Sequence, residues 1–176
     1  CLGTGAGPTA IDDVIIVNKA YMTRVGAGAF PTEQDNETGQ LIRERGKEYG
    51  TTTGRPRRCG WLDGVALRTS ARINGATYLA VTLLDVLNPF EKVCVCTEYR
   101  LQGKTLTMMP GNLDLLAEVE PVWEELPGWQ SDIAGCRSVD ELPANARAYV
   151  ERMSDLAGVP LKMVSVGPGR EETILV

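Results

Sequence analysis

The sequence predicts an α/β fold, on three observations. "ATYLAVTLLDVL" (76–87) is an apolar run rich in β-formers that ends at Asp85 and Asn88, as a buried parallel strand does where it opens onto a loop. Helical spacing recurs on either side of it, in "WLDGVALRTSARING" and in "VDELPANARAYVERMSDLAGVP". Between them, "KVCVCTEYRLQGKTLTMMP" reads as two strands about a Gln102-Gly103 turn.

Taken in order, "TAIDDVIIVNKAYM" from Thr9 sets Ile11, Val14, Ile15, Asn18 and Met22 at helical spacing behind a Gly-Pro pair and a threonine cap. A first helix ending near Arg24 is therefore expected. "RVGAGAFPTE" has too many glycines for the interior of an element and closes in a proline turn, and "ETGQLIRERGKEYG" is a short charged helix. In the next helix Leu62, Val65, Ala66 and Ile73 form the apolar stripe, with Gly75 at the C-cap. After the strand and the hairpin, an amphipathic helix starts near Asp140 and stops at Gly158-Val159-Pro160. "LKMVSVGPGREETILV" gives a last strand, a glycine turn and a short terminal strand. With no internal repeat or low-complexity linker, residues 1–176 read as one unit.

Composition narrows the function. A chain of 176 residues, 43% hydrophobic, can bury one sizeable core. Its 18 basic and 23 acidic side chains give a net charge of −5, the wrong field for duplex nucleic acid. No window approaches the ~18 uninterrupted apolar residues of a membrane span, and no secretion signal is present, so a cytoplasmic location is expected. The five cysteines (1, 59, 94, 96, 136) form no C-x-x-C pair, and no histidine completes a zinc set. Reduced thiols and no metal-ligand set are expected, with Cys94 and Cys96 sharing a strand face as small apolar residues. The lack of histidine also removes the commonest acid–base group at neutral pH. The chain starts at Cys-Leu-Gly without methionine, which suggests part of a longer protein whose catalytic histidine or phosphate loop lies upstream.

"EYGTTTGRPRRCGW" (48–61) is the most informative loop, and its composition leaves three readings. It is a solvated turn whose arginines pair with carboxylates, a nucleic-acid patch without interleaved aromatics, or an anion-binding lid. The lid reading uses threonine hydroxyls as donors, Gly50 and Gly54 as hinges, and Arg55 and Arg57 as forks that extended backbone turns to one side. Asp85, judged by itself, is a helix cap or turn residue.

The order of motifs adds to this. "KAYMTRVGAGAFPTE", "YGTTTGRPRRCGWLD", "TLLDVL", "ELPGW" and "VSVGPGREETI" occur in the order and spacing of adenylosuccinate synthetase, so the chain resembles that family from about Gly3 to Ile174. The resemblance covers less than half of the family's usual length and is expected to be its C-terminal part. It implies a P-loop-NTPase-like fold with a mostly parallel central sheet and a β-hairpin. It also implies a magnesium- and GTP-dependent ligase in AMP synthesis, acting as a homodimer whose partner subunit adds to the IMP site. In that chemistry GTP phosphorylates the 6-oxygen of IMP, and the amino group of L-aspartate displaces the phosphate.

By the same resemblance Thr51, Thr52, Thr53, Gly54, Arg55 and Arg57 form the aspartate loop, with Arg55 also reaching IMP and Arg57 the GTP phosphates. Val25 contacts IMP through its backbone. Asp85 reads guanine, Leu83 lies beside the base, and Ser165, Val166 and Gly167 close over the purine. Pro56 stands where the family commonly has arginine, and Leu83 where it has lysine. The phosphate loop, the magnesium-binding and base-acting aspartate and the acid histidine have no counterpart here, so no catalytic residue is assigned and the 176 residues alone are expected to be inactive. The alternative is a non-catalytic nucleotide-binding module.

Overall fold

The computed structural model describes residues 2–176. In chain order the elements are β1 (Ile15–Lys19), β2 (Met22–Arg24), α1 (Glu37–Arg45), β3 (Arg58–Gly60), β4 (Leu62–Asp63), α2 (Gly64–Asn74) and β5 (Tyr78–Thr82), then β6 (Lys92–Leu101), β7 (Lys104–Leu106), α3 (Leu113–Ala117), β8 (Glu120–Pro127), α4 (Ala144–Ala157), β9 (Leu161–Ser165) and β10 (Thr173–Leu175).

The apolar run at 78–82 is the centre of a sheet of order β1-β5-β9-β10. Strand β5 has parallel neighbours on both sides, with Val17 opposite Ala80 and Val81 opposite Val164. That explains its uninterrupted apolar character: Leu79, Ala80 and Val81 are buried. Strand β10 returns antiparallel to β9. A second sheet is built on the long β6, which takes β4 in parallel and β7 and β8 antiparallel. The β6–β7 turn falls at Gln102 and Gly103, with φ of 49° and 77°; two consecutive left-handed residues are what a tight two-residue hairpin requires.

One expected element is wrong. Residues 9–22 do not form a helix: a 3-10 turn at Pro8–Ala10 is followed by β1 and β2. Val14, Ile15, Ile16 and Val17 are four consecutive β-branched residues, stiff at χ1 and suited to a pleated sheet. Alternation then governs burial, with Ile16 turned to the core and Ile15 and Val17 exposed. The helical spacing was a coincidence within a short apolar run, and pairing with β5 overrides it.

The helices follow their local signals more closely. Asn36 caps α1 by accepting from the amides of Thr38 and Gly39. Asp63 caps α2 at Ala66 and Gly75 ends that helix in the left-handed conformation, but of the expected stripe Leu62 lies outside it in β4 and Ile73 is exposed. The expected helix from Asp140 begins later, because Pro143 forces Leu142 into extended backbone (ψ 141°); Val139–Glu141 becomes a 3-10 turn and α4 starts at Ala144. Strand β8 was not anticipated, since "EPVWEELP" is short, half exposed and bounded by prolines.

The main core lies between the central sheet and helices α2 and α4. Trp129 of "ELPGW" donates from Nε1 to Asn88 Oδ1 at 2.8 Å, and its ring lies 5.9 Å from that of Tyr149. The buried Tyr149 hydroxyl donates to the Ala20 carbonyl at 2.5 Å, fixing the chain where it leaves β1. Cysteines 59, 94, 96 and 136 are free thiols. Cys96 is fully buried beside Val65 and Tyr99, and Cys94 is half-buried against the main core; both act as small apolar groups. Burial pushes the Cys96 thiol up to about 12. Cys1 lies outside the described residues.

Candidate functional site

Because β1, β5 and β9 run parallel, their carboxyl ends at Lys19, Thr82 and Ser165 share one edge of the sheet, the position at which α/β sheets bind ligands. The segments leaving that edge hold Leu83, Asp85, Ser165, Val166 and Gly167. They are tied together: the Ala20 amide donates to the Thr82 carbonyl at 2.8 Å, and the Val166 amide to the Glu172 carbonyl at 2.9 Å.

The loop at 48–57 is closed at its base. The Arg57 amide donates to the Glu48 carbonyl (2.9 Å), Tyr49 bridges Pro56, and the Gly50 amide donates to the Arg55 carbonyl (2.8 Å). Proline at 56 suits this base, where its side of the bridge needs no N–H. The tip is exposed. Thr53 Oγ1 accepts from the Arg55 amide at 3.3 Å, and the hydroxyls of Thr51 and Thr52 and the guanidinium of Arg55 have no protein partner among the described residues. Arg57 is different, since its NH1 is 2.6 Å from Oε2 of Glu48.

Glu48 is the centre of this region and is 1% exposed. Besides Arg57 it binds Lys19 Nζ at 2.5 Å and the Tyr21 hydroxyl at 2.6 Å. Burial by itself would raise its carboxyl, but the hydrogen bonds from Lys19, Tyr21 and Arg57 outweigh burial and hold it below the ordinary glutamate range. Burial pushes the Tyr21 phenol well above its ordinary range, with the bond to Glu48 adding to the effect, so it stays a neutral donor.

The end of α1 links this loop to Asp85. Arg43 Nε donates to the Arg57 carbonyl at 2.7 Å. One half-turn on, Arg45 donates from Nε to the Val86 carbonyl (3.0 Å) and from NH2 to the Asp85 carbonyl (3.1 Å). Asp85 Oδ1 is buried with no hydrogen-bond partner. Desolvation raises the Asp85 carboxyl above its ordinary value; Arg45 opposes this and the negative charges of Glu172 and Asp132 add to it. A cleft of about 380 Å³ beside Asp85 is lined by Arg45, Asn88, Pro89, Gln130, Ser131 and Asp132.

Leu83 takes a left-handed conformation (φ 58°, ψ 36°) and packs its side chain on the main core. A strained non-glycine backbone costs about 1–2 kcal/mol, and here it reverses the chain so that Asp85 follows at the sheet edge. Ser165 Oγ donates to the Gly167 carbonyl at 2.8 Å, and Glu172 accepts from the Gly169 amide. A Cβ at Gly167 would lie 2.6 Å from the Glu172 carboxylate, so a side chain there would displace Glu172.

Val25 is 70% exposed, at the start of a loop that two arginines clasp. Arg58 donates to the carbonyls of Gly26 (3.2 Å) and Gly28 (2.8 Å) and pairs with Glu33 at 2.5 Å. Arg24 donates to the Ala27 carbonyl at 3.2 Å. Gly28, with φ of 109°, makes the close turn possible.

The structure thus brings the aspartate-loop candidates and Asp85 into one linked edge, with Ser165 and Gly167 across the neighbouring strand end. Sequence reading missed Lys19, Tyr21, Arg43, Arg45 and Glu48. Lys19 and Tyr21 were hidden in the misread helix, whereas Glu48 opens the quoted loop and could have been suspected as its counter-charge. Among the described residues no group of three or more Cys, Asp or Glu is placed to hold a metal ion.

Comparison with known proteins agrees with the motif order. A family model described as adenylosuccinate synthetase matches residues 1–174. The adenylosuccinate synthetase of Desulforudis audaxviator is 59% identical over 173 residues, covering 98% of this chain and 40% of that protein. That of Pelotomaculum thermopropionicum is 56% identical over 175 residues, covering 99% of this chain and 41% of that protein. A solved structure of fully ligated adenylosuccinate synthetase from Plasmodium falciparum superposes with a TM-score of 0.95 at 40% identity, covering 99% of this chain and 42% of that one. The α/β architecture, with its mostly parallel sheet and hairpin, is accordingly that P-loop-NTPase-like fold. The chain spans about two fifths of the length of the relatives it matches, and it belongs to the adenylosuccinate synthetase family.

Proposed function

We propose that this chain supplies the aspartate loop and the guanine pocket of a GTP-dependent ligase that joins IMP and L-aspartate to form adenylosuccinate in AMP synthesis. The observation that carries the reading is the buried, unpartnered Oδ1 of Asp85 at the carboxyl edge of a parallel sheet. A buried acceptor without a donor is costly, and guanine offers two donors, N1–H and the exocyclic amine, to one carboxylate. Adenine presents no such pair on that edge. Ser165, Val166 and Gly167 close over the base from the adjacent strand end, and Leu83 sets the turn beside it.

At the other end of the site, Thr51, Thr52, Thr53 and Gly54 offer hydroxyl and amide donors to the two carboxylates of aspartate. Arg55 grips aspartate and IMP, and Arg57 faces the GTP phosphates as negative charge spreads in transfer. Val25 meets IMP through the backbone of the clasped loop. The phosphate loop, the magnesium ligands and the acid–base pair belong to the rest of the parent polypeptide, and a homodimer would complete the IMP site. No helix among the described residues is long and apolar enough to cross a membrane, in keeping with an enzyme of soluble metabolites.

A second reading, a binding module without turnover, is favoured by Pro56 and Leu83, which stand where the family commonly has arginine and lysine. Nucleotide binding by the intact parent tests the guanine pocket under both readings. GDP is expected to bind more tightly than ADP, by about tenfold or more for the lost donor pair. Because the base's donors require an ionised acceptor, GDP affinity should be full above the raised Asp85 value and fall as pH drops through it. Titration calorimetry at neutral and at successively lower pH checks both. Equal affinity for GDP and ADP with no pH dependence contradicts the guanine-pocket assignment.

A further inference from the structure

Glu48 has more partners than a loop anchor needs. Its carboxylate is 1% exposed and receives a lysine, an arginine and a phenol, while its amide and carbonyl bond to the Arg43 carbonyl and the Arg57 amide. Lys19 is fixed a second time by its 3.1 Å bond to Thr23 Oγ1, and its ammonium lies 5.7 Å from the Tyr21 ring centroid. Lys19 and Arg57 occupy opposite oxygens of the one carboxylate and are 30% and 29% exposed. One negative charge cannot neutralise two positive ones. The cluster carries a surplus positive charge at the carboxyl end of β1, beside the strand that leads to Asp85.

We propose that Glu48 is a positioning residue that holds Lys19 and Arg57 as a paired cation, and that Lys19 is a second binding residue for a phosphate group of the bound nucleotide. The inference rests on the reading of Arg57 as a phosphate-facing cation and adds to it a partner and the device that aims both. An arginine fixed by one N–H to a buried carboxylate keeps its remaining donors in one orientation, which lowers the ordering cost of gripping a phosphate. The lysine supplies a compact charge beside it.

The test uses the intact synthetase with Glu48→Gln, Lys19→Met, Arg57→Ala and the Glu48→Gln/Arg57→Ala double variant, measuring KM for GTP, kcat, and the ratio of kcat/KM for GTP and ATP. Glu48→Gln and Lys19→Met are each expected to lower kcat/KM for GTP on the order of tenfold. The GTP-to-ATP ratio, which depends on Asp85, should stay unchanged. The double variant should lose no more beyond Arg57→Ala than Lys19→Met loses by itself, because Glu48 acts only through the two cations. A general loss of structure would instead exceed that bound, and that result overturns the inference. Wild-type kinetics in Glu48→Gln alongside an impaired Arg57→Ala overturn the inference alone, whereas wild-type kinetics in Arg57→Ala overturn the loop reading with it. If Glu48→Gln does not fold, Lys19→Met decides: a tenfold loss supports the paired cation and wild-type kinetics refute it.

Discussion

Asp85→Asn in the intact protein is expected to lower kcat/KM for GTP by about 100-fold or more, with kcat/KM for xanthosine triphosphate rising above that for GTP. The argument starts from the buried Oδ1, which has no donor, and from a backbone that Arg45 and the Leu83 turn hold fixed. A carboxylate accepts at both oxygens, matching two purine donors. Asparagine accepts at one position and donates at the other, which clashes with the exocyclic amine of guanine and suits a 2-oxo group beside N1–H. The side chain keeps its size, so a change of base preference isolates hydrogen-bond polarity from packing. Steady-state kinetics with both nucleotides checks the outcome, and an unchanged preference would remove Asp85 from the base.

The second large effect is expected from Arg55→Leu, which should raise the KM for aspartate and for IMP together and lower kcat/KM about 100- to 1,000-fold. Arg55 is exposed at the tip of a loop closed at its base, and its guanidinium has no protein partner among the described residues. Its removal therefore breaks no internal contact, and any loss belongs to the substrates. Stability should be nearly unaffected, within ~0.5 kcal/mol, as for other exposed positions away from packing features. A normal KM for aspartate and for IMP in this variant would mean that the loop serves neither.

The sequence was most legible where local chemistry and tertiary context agree. The 78–82 strand, the Gln102-Gly103 hairpin and the helix that ends at Gly75 follow from runs and a cap that the packing only reinforces. Residues 9–22 were misread because a helical stripe and a β-branched run coexist there, and only pairing with β5 decides between them. The site shows the same division. Exposed arginines, threonines and glycines are visible as an unusual composition, and motif order gives them a shared purpose. Their supports are buried and long-range: Glu48 lies 29 residues from Lys19, and Arg45 reaches across 40 residues to Asp85. No periodicity marks such pairs, since each is made by the sheet edge and by the end of α1 rather than by neighbours in the chain.

The most direct measurement is a crystal structure of the intact protein with a guanine nucleotide, IMP and an aspartate analogue. The account predicts guanine donors on both oxygens of Asp85 and, at the same sheet edge, the analogue's carboxylates on the 51–55 loop. A guanine ring bound away from Asp85, or an analogue seated off that loop, would contradict it.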